Sequence, residues 1–181
     1  LLRQLCLSED AEGAELASDY TRAVVCLNQL GRLAEFDKFS EQTVATHQQD
    51  WQLLRAVADQ YLSVMHWGHR VAGEYERGPR RGGGVVANSQ QRDRVRSLQL
   101  YSQAMPMVQA EENGDAAASF QMGMANALLN GNGFADAWRL QYLTDIAVLP
   151  DIEEGRPVYL PNMGAPVDEQ GQPVFYHEVD S

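Results

Sequence analysis

The most regular alternation of apolar and polar positions lies between residues 54 and 65. Leu54, Val57, Ala58, Tyr61, Leu62 and Met65 recur at i, i+3, i+4, i+7, i+8 and i+11, the spacing that lines one face of an α-helix. Asp50 precedes that stripe at the position of an N-cap, whose side chain accepts a hydrogen bond from a free amide of the first turn. Upstream, Leu16, Ala23, Val24, Leu27 and Leu30 predict a helix that Gly31-Arg32 breaks. Leu33, Phe36, Phe39, Thr43 and Val44 predict another, ending between His47 and Gln49.

Beyond Trp67 the helical period fails. Gly68 and Gly73 lead into the run Arg77-Gly78-Pro79-Arg80-Arg81-Gly82-Gly83-Gly84, whose Gly and Pro content destabilises regular structure and predicts a loop insertion over residues 77–88. Asn88 or Ser89 then stands as a cap for a helix carrying Val95, Leu98, Tyr101, Met105 and Val108, bent at Pro106. Asn113-Gly114 ends it, and Asp115 is expected to cap a hairpin with Ala116, Phe120, Met124, Ala127 and Leu128 on its first helix. Asn130-Gly131-Asn132-Gly133 turns the chain into Phe134, Ala137, Trp138, Leu140 and Leu143, closed by Leu149-Pro150. The remainder is rich in Pro and acidic residues and predicts extended structure, with a small hairpin of Pro166-Val167 and Val174-Phe175-Tyr176 around Glu169-Gln170-Gly171.

Self-similarity at about 34 residues marks helix-hairpin solenoids. Leu30-Gly31-Arg32-Leu33-Ala34-Glu35-Phe36 and Gly131-Asn132-Gly133-Phe134-Ala135-Asp136-Ala137 resemble tetratricopeptide units, and the second runs on to a closing Pro150. Gly31 and Gly133 are 102 residues apart, about three such periods. The large residues of the family's first helix are mostly missing, so the resemblance is degenerate. The expected fold is therefore all-α: a helix-hairpin repeat array, a TPR-like α-solenoid, over residues 1–150, followed by an extended, acidic, Pro-rich and partly β segment over 151–181 that leads to a following domain.

Charge modifies this picture. The 181 residues carry a net charge of −11 and a 44% hydrophobic content, enough apolar matter for a core. That sign disfavours a nucleic-acid or anionic-membrane partner, since phosphates reward clustered cations, and Lys38 is the only lysine. The acidity is uneven. Between Arg70 and Arg96 seven arginines face three acids, a net of +4 that leaves −15 elsewhere. Such an island is expected to meet acidic surface in the same protein or a neighbouring domain. Cys6 and Cys26 are too few for a disulfide framework, and no apolar run reaches the roughly 18 residues of a membrane span. The chain starts at Leu1 rather than Met and stops just after a strand-like stretch, which predicts a piece of a longer protein.

Two groups of residues can carry chemistry. His66 and His69 have the three-residue spacing that places two imidazoles on one metal when they lie on a helix, although Gly68 between them points to a helix end. Arg77, Arg80 and Arg81, with Gly82, Gly83 and Gly84, can form an anion-binding loop in which flexible glycines turn amides toward a phosphate or carboxylate; the strand and Lys-Ser/Thr of a phosphate-binding fingerprint are missing. Gly-x-Ser-x-Gly is absent, and no histidine is connected to either cysteine. No catalytic residue and no cofactor is expected. The leading expectation is a non-enzymatic scaffold that binds protein, either other domains of its own chain or a partner. The alternative is a metal- or anion-binding module using His66, His69, Arg80 and Arg81.

The stretch from Ala56 to Leu100 resembles the helical N-terminal region of very large bacterial alpha-2-macroglobulin-like proteins, through Ala56-Val57-Ala58-Asp59-Gln60-Tyr61, Val71-Ala72-Gly73-Glu74-Tyr75, the Gly/Arg run and Arg92-Asp93-Arg94-Val95-Arg96. Ala137-Trp138-Arg139-Leu140-Gln141-Tyr142-Leu143-Thr144-Asp145 and Gly164-Ala165-Pro166-Val167-Asp168 with Pro173-Val174-Phe175-Tyr176 extend the likeness. The resemblance implies an exported protein of the periplasm or cell envelope whose later domains trap proteases. That family's thioester lies in a Cys-x-Glu-Gln string. Cys6 is followed by Leu7-Ser8-Glu9 and Cys26 by Leu27-Asn28-Gln29, so no catalytic residue carries over.

Overall fold

The structure is a computed structural model that describes residues 1–111, 113–129, 146–156 and 170. Its centre is the helix that the 54–65 stripe predicts, α4 (Trp51–Ser63), with Leu53, Leu54, Val57, Ala58 and Tyr61 buried. Asp50 caps it, Oδ1 accepting from the Leu53 amide at 3.0 Å. Oδ2 accepts from the amide of Gly13 at 2.5 Å, the first residue of α2 (Gly13–Gln29). One carboxylate thus holds two helix N-termini together, where the unpaired amides and the helix dipoles both favour negative charge.

Helix α2 packs on α4 and buries Leu16, Tyr20, Ala23 and Val24, with Tyr20 stacked on Phe39. Gly31, at φ +68, supplies the left-handed residue that lets the Arg32 amide reach the Leu27 carbonyl at 2.8 Å, a helix stop for which glycine is best suited. A short helix α1 (Leu2–Cys6) packs on α2, pinned by His47 Nε2 at 3.0 Å from the Cys6 carbonyl oxygen. A 3₁₀ turn, Leu33–Glu35, opens α3 (Phe36–Thr46), which buries Phe36, Phe39 and Val44. Helix α5 (Gln90–Gln109) runs along α4 and contains Pro106. Helix α6 (Gly114–Leu129) packs on both. Asn113, and not Asp115, caps it: Asn113 Oδ1 accepts from the Asp115 and Ala116 amides at 3.1 and 3.2 Å.

The all-α expectation is wrong. Between α4 and α5 the chain forms β1 (Trp67–Val71), β2 (Glu74–Arg77) and β3 (Val85–Asn88), and a two-residue strand β4 (Glu153–Glu154) completes an antiparallel sheet in the order β2-β1-β3-β4. The fold is mixed α and β, and no run of stacked helix hairpins links α4 to α5. The predicted loop over 77–88 is confined to residues 78–84, and the 56–100 stretch that suggested a helical region contains three strands. The second tetratricopeptide-like unit, apart from its closing residues, and the 166–176 hairpin, apart from Gln170, lie outside the described residues.

Two physical reasons hid the sheet. Ala72 and Gly73 both take positive φ, +50 and +90, forming a two-residue hairpin turn whose twist matches the strands, yet Ala-Gly is a weak turn signature. Across the strands Arg77, Gly68 and Ala87 lie abreast. The inward face therefore presents a glycine, an alanine and a charged arginine where a half-buried strand normally shows large apolar side chains. Gly68 is required there: a Cβ would stand 2.1 Å from the Glu76 carbonyl oxygen. Among the described residues no helix is long and apolar enough to cross a membrane.

Candidate functional site

The face of the sheet that carries Arg77 turns toward α3 and α5, and the polar centre of the molecule is built there. The Arg77 side chain is fully buried. Nε and Nη2 donate to Asp37 at 3.0 and 2.6 Å, while Nη1 and Nη2 donate to Asp93 at 2.7 and 2.9 Å. Nη1 also meets Ser89 Oγ at 2.9 Å and the Met65 carbonyl at 2.7 Å, so all five guanidinium donors have acceptors. The guanidinium carbon lies 5.1 Å from the centre of the Phe36 ring and 5.5 Å from that of Tyr75, a favourable setting for a cation stripped of water.

Asp93, 1% exposed, is the node of the network. It accepts from Arg77, from Ser89 Oγ at 2.7 Å and from His66 Nδ1 at 2.8 Å. Burial works against its charge, but the hydrogen bonds from His66 and Arg77 and the Arg77 charge outweigh it and hold the carboxyl below its ordinary value. Burial likewise opposes the charge on Arg77, and the hydrogen bonds and charges of Asp93 and Asp37 overcome it and push its pKa up.

Ser89, His66 and Asp93 include the residue types of a nucleophile, a base and an acid, but the geometry is not that of a relay. His66 turns Nδ1 to Asp93 and Nε2 to the Leu62 carbonyl oxygen at 3.3 Å. Ser89 Oγ contacts Asp93 directly and is buried. A general base needs a free ring nitrogen within reach of the hydroxyl proton, and neither nitrogen of His66 is in that position.

The other sequence-selected residues lie apart. His69 is on β1 beside Trp67, with ring centres 6.0 Å apart, and does not join His66. No group of three or more His, Cys, Asp or Glu among the described residues could hold a metal ion. Arg80 pairs with Glu76 on the same hairpin, and Arg81 is exposed. Arg77, Arg80 and Arg81 therefore do not converge on one ligand, because Arg77 points inward while the other two stay at the surface.

Beside the Arg77 network lies a polar cleft of about 600 Å³. Its walls are Glu41 and Tyr61 from the helices, Arg70 and Tyr75 from the sheet, and Arg92, Arg96 and Gln99 from α5, with Leu149, Asp151 and Ile152 along one rim. Arg96 makes a two-pronged bond to Glu41, at 2.8 and 2.7 Å.

The rim is formed by residues 146–156, which bend at 147–148 and at Gly155, run across the cleft between those bends and are gripped by their main chain. Gln99 Nε2 donates to the Ile146 carbonyl at 2.8 Å, Arg92 Nη1 to that of Pro150 at 2.7 Å, and Arg70 Nη2 to that of Ile152 at 2.8 Å. Asn88 Nδ2 approaches the Gly155 carbonyl at 3.5 Å, and the Gly155 amide donates to Val86 at 2.7 Å. Arg70, Arg92 and Gln99 were not singled out in the sequence as ligand residues. The available signal was the basic island itself, whose members Arg70, Arg77, Arg80 and Arg96 face carboxylates of the same chain.

No family model matches this chain, and neither a curated protein nor a solved structure does.

Proposed function

We propose that this chain is a non-enzymatic protein-interaction module whose working surface is the Arg70/Arg92/Gln99 cleft. The observation that carries the reading is the way the cleft holds a stretch of polypeptide by its main chain: charged and amide side chains from β1 and α5 donate to the carbonyls of Ile146, Pro150 and Ile152. Donors aimed at backbone acceptors are suited to recognising a peptide strand. The saturation of Ser89, His66, Asp93 and Arg77 by one another supports assigning that cluster to stability. The setting proposed is the exported, envelope-associated protein that the sequence resemblance implies. The residue strings at 56–61, 71–75, 92–96 and 137–145 support it.

The test is site-specific photocrosslinking in cells that produce the chain, with the probe at Asp151 on the cleft rim and, as control, at the exposed Glu15 on α2. A discrete protein adduct from position 151, mapped to one segment of the partner and missing from position 15, is expected. Equal adducts from both sites, or none from either, would sink the reading.

A further inference from the structure

Residues 146–156 are held in a manner that another peptide could reproduce. We propose that the cleft is a receptor for an extended acidic peptide supplied by another chain, and that residues 146–156 are its occupant in cis. The inference rests on the protein-interaction reading above and names the class of partner.

Three features support it. The grip is largely blind to sequence, because Gln99, Arg92, Arg70 and Asn88 each bond a backbone carbonyl, and any extended chain offers the same acceptors. The strap contributes little apolar burial: Val148 is 67% exposed, Ala147, Asp151, Glu153 and Glu154 are exposed, and Ile146, Leu149 and Ile152 are only half-buried. A segment with few buried apolar contacts opens at low cost compared with the core. Finally, the charges are complementary. Asp151, Glu153 and Glu154 outnumber Arg156 along the strap, and Glu154 lies 4.0 Å from Arg70; Arg70 and Arg92 stand beneath, while the cleft's own acids Asp37, Asp93 and Glu41 are paired with Arg77 and Arg96.

Strand β4 matches Glu153 and Glu154 to Asn88 and Ala87, and beyond it the Gly155 amide reaches Val86. An added strand from another chain can occupy the same edge of β3. The cleft of about 600 Å³ beside the strap has space for its side chains.

The experiment uses the full chain and a fluorescein-labelled synthetic peptide of residues 146–156, read by anisotropy. A tethered segment competes at millimolar effective concentration, so weak binding is expected for the unaltered protein. Gly155→Pro should loosen the strap without touching the receptor, since Gly155 sits at φ +97 and donates its amide to Val86, neither of which proline can do. A glutamate-specific protease should cut faster after Glu153, and peptide affinity should rise by about tenfold or more. Adding Arg70→Ala and Arg92→Ala should reverse that gain. A peptide of scrambled order should bind about as well, and one with Asp and Glu changed to Lys should not.

If the strap stays protected in Gly155→Pro, it is a fixed part of the fold and the proposal fails. It fails equally if the strap is released and the peptide binds no better, or if the gain survives loss of both arginines. A specific crosslink from position 151 without peptide binding would leave the interaction reading standing and remove this one.

Discussion

Replacing Arg77 by Met keeps an unbranched stem and removes the guanidinium with its charge. Asp37, 39% exposed, can return to water at small cost. Asp93 cannot: at 1% exposure it remains in the interior with only Ser89 and His66 as partners. Removing one member of a buried ion pair costs about 3–5 kcal/mol, and the two surviving hydrogen bonds place Arg77→Met toward the lower end, about 3 kcal/mol at pH 7. The pH dependence gives the mechanism a signature. In the unaltered protein the Asp93 carboxyl is held below its ordinary value of 3.8, so its contribution is fully present above that value and is lost as pH falls through the lower folded value. Without Arg77, burial dominates and raises the folded value above the unfolded one, so the variant's penalty is relieved as the acid protonates. The gap between the two proteins should therefore shrink on acidification from pH 7 to about pH 3.5. Urea unfolding followed by far-ultraviolet circular dichroism at both pH values measures it. A gap below about 1 kcal/mol at pH 7, or one that does not change with pH, would refute the buried-pair account.

Two further outcomes follow from packing and burial. Gly123 on α6 faces Tyr101, and a Cβ there would lie 2.5 Å from the tyrosine hydroxyl, which bonds Asp59 Oδ1 from a fully buried side chain; Gly123→Ala should lower stability by about 1–2 kcal/mol despite alanine's helix propensity, and much less in a Tyr101→Phe background, as thermal denaturation of the four proteins will show. Burial, aided by the Asp19 charge, pushes the Cys6 thiol up to about 11, whereas Cys26 is exposed. A thiol reagent at pH 8 should therefore label Cys26 promptly and Cys6 only after unfolding; prompt labelling of both would contradict the burial of Cys6.

The sequence by itself determined helices α2 to α6, because their information is local. The stripe of α4, the cap at Asp50 and the stop at Gly31 each depend on residues within a turn or two of one another. It also held the charge pattern, since the island between Arg70 and Arg96 is visible as composition and its expected acidic counterparts Glu41, Asp37, Glu76 and Glu154 are present. The tertiary structure decided how those charges are spent. Arg77 reads as a loop arginine because Gly78 and Pro79 follow it, yet Asp37, forty positions earlier, and Asp93, sixteen later, make its burial tolerable. A strand whose inward residue is a cation can be recognised only once its counter-ions are in place. The cleft is non-local in the same way: Arg70, Arg92 and Gln99 are unremarkable as a string, and only the fold brings them together under the carbonyls of Ile152, Pro150 and Ile146.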